Sequence, residues 1–219
     1  MSRRRGPRVG RTELLGTVAV GGTITAVALE YVYVWRRGRA PLVTEVEGAE
    51  VLAAGAEAAL ETVEVAVEGY RTGSSRENAL LNLLVAFSAT LGVTRMSTHL
   101  IRAHGNLGPF RNVRVGERHI HHFVPGIAVA FVSGGISILS RNEGLDPWLA
   151  LPFGVGAALT LDESALLLEL DDVYWTEKGL VSVQIALAAM ALMATAAVGA
   201  RVLARGAREV LGPVDGGAV

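Results

Sequence analysis

The sequence PWLALPFGVGAALTLDESALLLELDDVYW, residues 147–175, decides the fold. It is a continuous apolar run, and about 20 helical residues are enough to cross a bilayer core of about 30 Å. Acidic residues nevertheless lie within it or at its end, namely Asp162, Glu163, Glu169, Asp171 and Asp172. An acid at the centre of a membrane helix costs about 2.5 to 3.5 kcal/mol and usually faces a bundle interior or an aqueous cavity. These acids are therefore predicted to line a polar site.

The composition indicates a membrane protein. The 219 residues are 51% hydrophobic, their mean hydropathy is +0.40, and the length allows one domain. The chain has no cysteine, so it cannot form disulfides or thiolate metal sites, but five histidines and many carboxylates remain as metal ligands. The net charge of -1 indicates no basic face for nucleic acid, so no nucleic-acid partner is predicted.

The predicted fold is an all-α transmembrane bundle of about five spans. A basic tail (residues 1–13) precedes an N-terminal anchor (14–35), which ends in aromatic residues followed by arginines, as is usual at a membrane boundary. A four-span core is predicted at residues 78–204 and a flexible tail at 205–219. The core spans are placed at 78–101, at 123–140, from 147 onward and at 180–203. The predicted location is the bacterial inner membrane, crossed several times and in contact with the lipid bilayer.

The connecting segment, residues 36–77, contains one predicted amphipathic helix at 45–70. Acids spaced by three, four and seven residues share one face of it, namely Glu50, Glu57, Glu61, Glu64 and Glu68. The opposite face is apolar, with Leu52, Ala56, Leu60, Val63 and Val67. Anionic lipid would repel an acidic outer face. The helix is therefore predicted to dock on the rest of the protein, on a protein partner or on a second copy of the chain.

Local signals predict three further features. Ser74 and Glu77 have the spacing of a capping box, which predicts a helix start. Asp146 followed by Pro147 predicts the start of another helix. Residues 113–120 could form a small hairpin around Gly116.

Successive spans run in opposite directions, and this gathers distant polar residues in one half of the membrane. The predicted layer contains Arg95, His119, His121, His122 and the acids between residues 162 and 172. Small residues form a stripe with acids on the fourth span (Gly154, Ala158, Asp162, Ala165, Glu169, Asp172) and with histidine on the third (His122, Gly126, Ala130, Gly134, Ser137). Because small residues let membrane helices approach closely, the two stripes are predicted to face each other.

Two kinds of chemistry fit this layer. Imidazole and carboxylate groups suit a divalent metal such as Zn, Mn or Fe, with candidate ligands His119, His121, His122, Asp162, Glu163 and Glu169. A metal-activated water could hydrolyse a lipid-borne substrate, with Asp162 or Glu163 as the catalytic base. The same groups could instead form a proton relay or an ion pathway.

A structural alternative needs no metal. Arg95 is the candidate counter-charge of Asp162 or Glu163, because buried charges are usually paired, and the pairs would lock the bundle. Asp171 and Asp172 lie beside Tyr174 and Trp175, which look like an interfacial belt, so both acids could be solvated. The sequence leaves three classes open: a metalloprotein, a proton- or ion-handling protein, and a structural or partner-binding protein.

Four stretches carry a family resemblance: RENALLNLL (76–84), GPFRNV (108–113), RHIHHFVPGI (118–127) and LDESALLLELDDVYW (161–175). They resemble uncharacterised integral membrane proteins of GC-rich, actinobacterial-type bacteria, which combine an HxHH element with a later LDE…LxDVYW element. The resemblance covers most of the chain after Arg71. It implies no activity, but it implies that the bundle belongs with the polar residues at the matching positions, namely His119, His121, His122, Asp162, Glu163, Asp171 and Asp172.

Overall fold

The computed structural model describes residues 11–104, 114–115, 118–119, 123–162 and 177–212. Within these ranges the helices are α1 (Arg11–Arg37), α2 (Glu50–Arg71), α3 (Ser75–His104), α4 (Phe123–Ser140), α5 (Asp146–Asp162) and α6 (Glu177–Leu211). Two short strands, β1 (Arg114–Val115) and β2 (Arg118–His119), pair antiparallel. The predicted all-α class is confirmed, and so is the small hairpin.

Four described helices are long and apolar enough to cross a membrane: Leu14–Arg37 in α1, Ser75–Ser97 in α3, Phe123–Ser140 in α4 and Leu187–Leu211 in α6. They expose large apolar side chains, for example Phe131 at 78% and Leu139 at 84%. Exposing such surface to water costs about 25 cal/mol per Å². The chain is therefore a membrane protein whose apolar helices contact lipid. The predicted fourth span, from residue 147 onward, is described only over α5, and its continuation lies outside the described residues.

Helix starts follow the predicted local chemistry. The Glu77 backbone N–H donates to the Ser74 hydroxyl at 3.3 Å, which caps α3. α5 begins at Asp146, as predicted. The Ser137 hydroxyl donates to Asp146 Oδ1 at 2.7 Å and ties the start of α5 to the last turns of α4.

α5 packs on α4 through the small residues predicted for α4. A Cβ placed on Gly156 would lie 2.5 Å from the carbonyl oxygen of Gly126 and 2.6 Å from the backbone nitrogen of Ala130. Gly134 of α4 similarly faces the ring of Phe153. The small stripe of α4 therefore does face α5, as predicted.

The stripe predicted for α5 faces a different helix. A Cβ on Gly154 would lie 2.5 Å from the carbonyl oxygen of Leu83 in α3, and Ala158 packs with Phe87 and Leu91. The prediction that this stripe meets α4 is wrong. A step of two residues turns the side-chain direction by about 200° around the helix axis, so Gly154 and Gly156 lie on opposite sides of α5. A helix held between two close neighbours needs small residues on both sides.

The remaining helices, α1, α2 and α6, pack on one another. Val34, Val65 and Ala207 form their buried cluster. α2 and α6 meet at backbone distance, because a methyl group on Gly69 would collide with the carbonyl of Val202 and one on Gly206 with that of Val65. α6 also packs on α3 and so joins the two groups of helices.

The face of α2 that packs on the protein is not the predicted one. Its buried residues are Ala54, Ala58, Glu61, Val65 and Gly69. The predicted docking face is exposed instead, with Leu52 at 79%, Leu60 at 72%, Val63 at 59% and Val67 at 50%, and Ala56 is exposed as well. α2 therefore does dock on the rest of the protein, against α1 and α6, but not through its apolar face. Contact with α6 at backbone distance excludes large side chains and selects the small-residue face.

α6 continues to Leu211, beyond residue 204, where the core was predicted to end. Arg205 fixes this extension: its Nη1 donates to the carbonyl of Gly69 at 2.8 Å, and its Nη2 pairs with the carboxylate of Glu77. The last turns of α6 are thus tied to the end of α2 and the start of α3.

Candidate functional site

The polar centre nearest the predicted site is an ion pair between α3 and α5. Arg95 Nη2 lies 2.7 Å from Asp162 Oδ1, and the side chains are 47% and 7% exposed. The same nitrogen donates to the backbone carbonyl of Asp162 at 3.3 Å. A buried carboxylate needs such compensation, because an ion taken out of water without a partner is costly. Asp162 is therefore held at the end of α5 by both its side chain and its backbone.

The pair results from the register of two parallel helices. Gly154 approaches Leu83 and Phe87, Ala158 packs with Phe87 and Leu91, and Arg95 reaches Asp162. Each step is about one helical turn along both helices, so α3 and α5 run in the same direction.

The start of α4 lies at the same level as the end of α5. A Cβ on Gly126 would lie 2.8 Å from Cβ of Leu159 and 3.1 Å from the backbone nitrogen of Thr160. The end of the α3 span, the start of α4 and the end of α5 therefore meet at one end of the bundle. The predicted histidines and acids adjoin these helix ends in sequence.

Most of the predicted ligands lie outside the described side chains. His119 is part of β2, but its side chain, together with His121, His122, Glu163, Glu169, Asp171 and Asp172, falls outside what the structure describes. Within the described ranges, no three His, Asp or Glu side chains lie close enough together to hold a metal ion. Asp162 is the one predicted ligand whose surroundings are defined.

A second polar centre was not singled out from the sequence. Glu61 of α2 is buried, with its side chain 3% exposed. Its two carboxylate oxygens accept the backbone N–H of Arg39 at 2.9 and 3.2 Å, and Arg39 Nε lies 3.3 Å from Oε1. The adjoining Gly38 leaves the room for this contact, since a methyl group there would collide with the carboxylate.

Arg39 also pairs with Glu64, with 2.5 Å between Nη2 and Oε2. The hydrogen bond to Glu64, the charge of Glu64 and then the charge of Glu61 raise the pKa of Arg39 above its ordinary value. An open pocket of about 540 Å³ lies over this centre, and its lining includes Glu68 and Glu209. The centre is acidic, but each oxygen of Glu61 already has a donor.

A third set of contacts surrounds the turn between α2 and α3. The Asn78 amide donates to the carbonyl of Tyr70 at 2.8 Å. The Asn82 amide donates to the Tyr70 hydroxyl and to the carbonyl of Pro147, both at 2.8 Å. These asparagines satisfy backbone groups at the junction of α2, α3 and α5, which accounts for their position near the start of a membrane span.

Comparison of the chain with protein-family models, with curated proteins and with solved structures finds no match. The resemblance carried by the HxHH and LDE…LxDVYW elements therefore stays a prediction. The class that the fold defines is an all-α membrane protein with four helices able to cross a bilayer among its described residues.

Proposed function

We propose that this is a multi-pass protein of a bacterial inner membrane, with five spans, that binds a divalent cation such as Zn, Mn or Fe beside the Arg95–Asp162 pair. The proposed ligands are His121 and His122, just before α4, and Glu163, just after α5, with His119 and Glu169 nearby in sequence. Imidazole and carboxylate together suit these metals. A metal-activated water at such a site would serve the hydrolysis of a lipid-borne substrate.

The observation that supports this proposal is the contact between the start of α4 and the end of α5. Gly126 lies against Thr160, His122 precedes Gly126 by four residues, and Glu163 follows Thr160 by three. A chain covers at most about 3.6 Å per residue, so four residues reach no farther than about 14 Å. The imidazole and the carboxylate are thus both tethered by short segments to one point of the bundle.

Asp162 has a different part in this proposal from the one predicted. Its Oδ1 lies 2.7 Å from Arg95, and a guanidinium at that distance opposes a second cation on the same oxygen. Asp162 is therefore a positioning residue that fixes the end of α5, and Glu163 takes the place of the carboxylate ligand.

Metal content tests the proposal. The protein is purified in detergent, stripped with chelator, re-equilibrated with Zn, Mn or Fe and analysed by elemental mass spectrometry. Wild type is expected to hold one metal ion per chain. The metal content of the double variant His121→Ala/His122→Ala is expected to be at least ten-fold lower. His104→Ala, at the end of α3, is the matched control and should keep the metal. Wild type without stoichiometric metal, or a folded double variant that retains it, would contradict the proposal.

A structural role is the second candidate, and the ion pair itself favours it. The guanidinium of Arg95 binds the carboxylate and the backbone carbonyl of Asp162, which joins α3 to α5 without any metal. On this reading Arg95→Gln lowers thermal stability while the purified wild type holds no metal. Wild type with one metal per chain, lost in His121→Ala/His122→Ala, would decide against a purely structural role.

A further inference from the structure

An apolar groove lies where α2 meets α3 and α6. Its volume is about 440 Å³, and its almost entirely apolar lining includes Val63, Val67, Tyr70, Leu81 and Leu203. Leu81 belongs to the candidate span of α3 and Leu203 to that of α6. The groove therefore opens on the side of the bundle that faces lipid.

The groove continues into an exposed apolar face of α2, here called the outer stripe: Leu52, Leu60, Val63 and Val67. All four side chains are at least half exposed, and the last two also line the groove. At 100° per residue the outer stripe lies opposite the buried face that contains Glu61 and Val65. Nothing in the described part of the chain covers it.

Hydrocarbon is the occupant that this continuity favours. One surface runs from the outer stripe through the groove onto two helices that can cross the membrane. The end of α2, at Arg71, is joined to the start of α3, at Ser75, by a short turn. The last turns of α2 therefore stay at the membrane boundary, where an apolar face is most stable in contact with acyl chains.

The acids of α2 do not oppose this placement. Glu57, Glu64 and Glu68 lie about 100° around the helix from the outer stripe, so they can remain in water while the stripe is in hydrocarbon. The charge of Glu64 is also offset by Arg39. Repulsion from anionic lipid is thus weaker than the acid count alone indicates.

We propose that α2 is an interfacial helix whose outer stripe lies in the hydrocarbon edge of the membrane, and that an acyl chain of a membrane lipid occupies the groove between α2, α3 and α6. The placement does not depend on a metal. It makes α2 part of the lipid-facing surface rather than a docking helix for a protein partner.

The absence of cysteine makes the test direct. Single variants Leu60→Cys and Val67→Cys carry a nitroxide label, with Glu57→Cys on the acidic flank of the same helix as matched control. In lipid nanodiscs, collisions with oxygen, which concentrates in hydrocarbon, are compared with collisions with a water-soluble nickel chelate. The oxygen-to-nickel ratio is expected to be at least five-fold higher for both stripe variants than for Glu57→Cys.

Two results would overturn the proposal. A ratio at V67C and L60C equal to that at E57C would show that the outer stripe faces water. Exclusion of both reagents, together with spin–spin broadening between labels, would show that a second copy of the chain covers it. L60C lies outside the groove and V67C inside it, and both belong to the outer stripe. If one variant fails to fold, the other therefore still tests whether the stripe faces hydrocarbon.

Discussion

The α3–α5 contact and the α2–α6 contact are built in a similar way but adjoin very different segments. Each is a close approach through glycine, and near each lies a buried acid held by an arginine, Asp162 by Arg95 and Glu61 by Arg39. Around Glu61 the carboxylate is fully supplied with donors. After Asp162 the chain runs on into further acids. A buried acid paired with arginine therefore does not by itself mark a functional site.

The largest effect is expected for Gly206→Ala, which breaks the α2–α6 contact. The new methyl group would collide with the backbone carbonyl of Val65, and backbone cannot yield as a side-chain end can. Overpacking of this kind costs about 3 kcal/mol. Gly199→Ala on the same helix has open space around it and should be neutral or slightly stabilising. Thermal unfolding in detergent measures both, and equal melting temperatures would disprove the tight contact.

The next effect tests the α3–α5 side. Arg95→Gln leaves the buried carboxylate of Asp162 without its counter-charge, and because Arg95 is 47% exposed the expected loss of about 2 kcal/mol lies between that of a surface pair and that of a buried one. Adding Asp162→Asn should recover most of the loss, since no unpaired charge remains. Denaturant titrations of wild type, the two single variants and the double variant measure this. Strictly additive losses in unfolding free energy would show that the two residues do not interact.

A smaller effect is expected for Glu61→Gln at the other acid. The amide oxygen can still accept the backbone N–H of Arg39, but the charge is lost, which costs about 1.5 kcal/mol. Glu57→Gln, on an exposed position of the same helix, should change stability by less than about 0.5 kcal/mol. Unfolding free energies that rank the two variants the other way round would contradict the burial of Glu61.

The pKa of Arg39 adds a pH prediction for this centre. The pKa of Arg39 is raised in the folded state. The contribution of charged Arg39 to folding stability is therefore complete below the ordinary arginine pKa, and it is lost only as the pH rises through the raised pKa. Melting temperature should therefore show no loss from this pair between about pH 7 and pH 10. An alkaline decrease in that range that is absent in Arg39→Gln would contradict this.

The smallest effect is expected for Arg76→Gln. Arg76 lies 3.4 Å from Glu143, and both side chains are mostly exposed, at 85% and 69%. Exposed pairs contribute about 0 to 1 kcal/mol, so the melting temperature should stay within about 2 °C of wild type. A loss as large as that of Arg95→Gln would remove the distinction between buried and exposed pairs.

Much of the fold could be predicted because hydropathy and helix signals are local. α4 begins and ends at the predicted residues, and α3 and α5 start at predicted caps. The span window in α1 begins at the first residue of the predicted anchor, and the window in α6 overlaps the predicted last span but ends eight residues later. Apolar periodicity, aromatic boundaries and capping residues lie within each segment and need no knowledge of its neighbours.

The packing faces could not be predicted, because they depend on which helices approach at backbone distance. Gly69 and Gly206 are far apart in sequence, and their contact decides that α2 buries Glu61 rather than Leu60. The same applies to Gly154, which turns Asp162 toward α3. One signal was available: residues 54, 58, 61, 65 and 69 follow a regular three- and four-residue spacing of mostly small side chains, which is typical of a close helix contact.

The location of a bound Mn²⁺ tests the central claim most directly, since the two acidic regions lie at opposite ends of α3. Nitroxide labels are placed on Val93→Cys, two residues before Arg95 and 48% exposed, and on Thr72→Cys, beside α2. These positions are separated by about 27 Å or more of helix. One equivalent of Mn²⁺ is expected to shorten the relaxation time of the nitroxide at V93C strongly and that of the nitroxide at T72C only slightly. Strong relaxation at T72C, or none at either label, would contradict a cation site beside the Arg95–Asp162 pair.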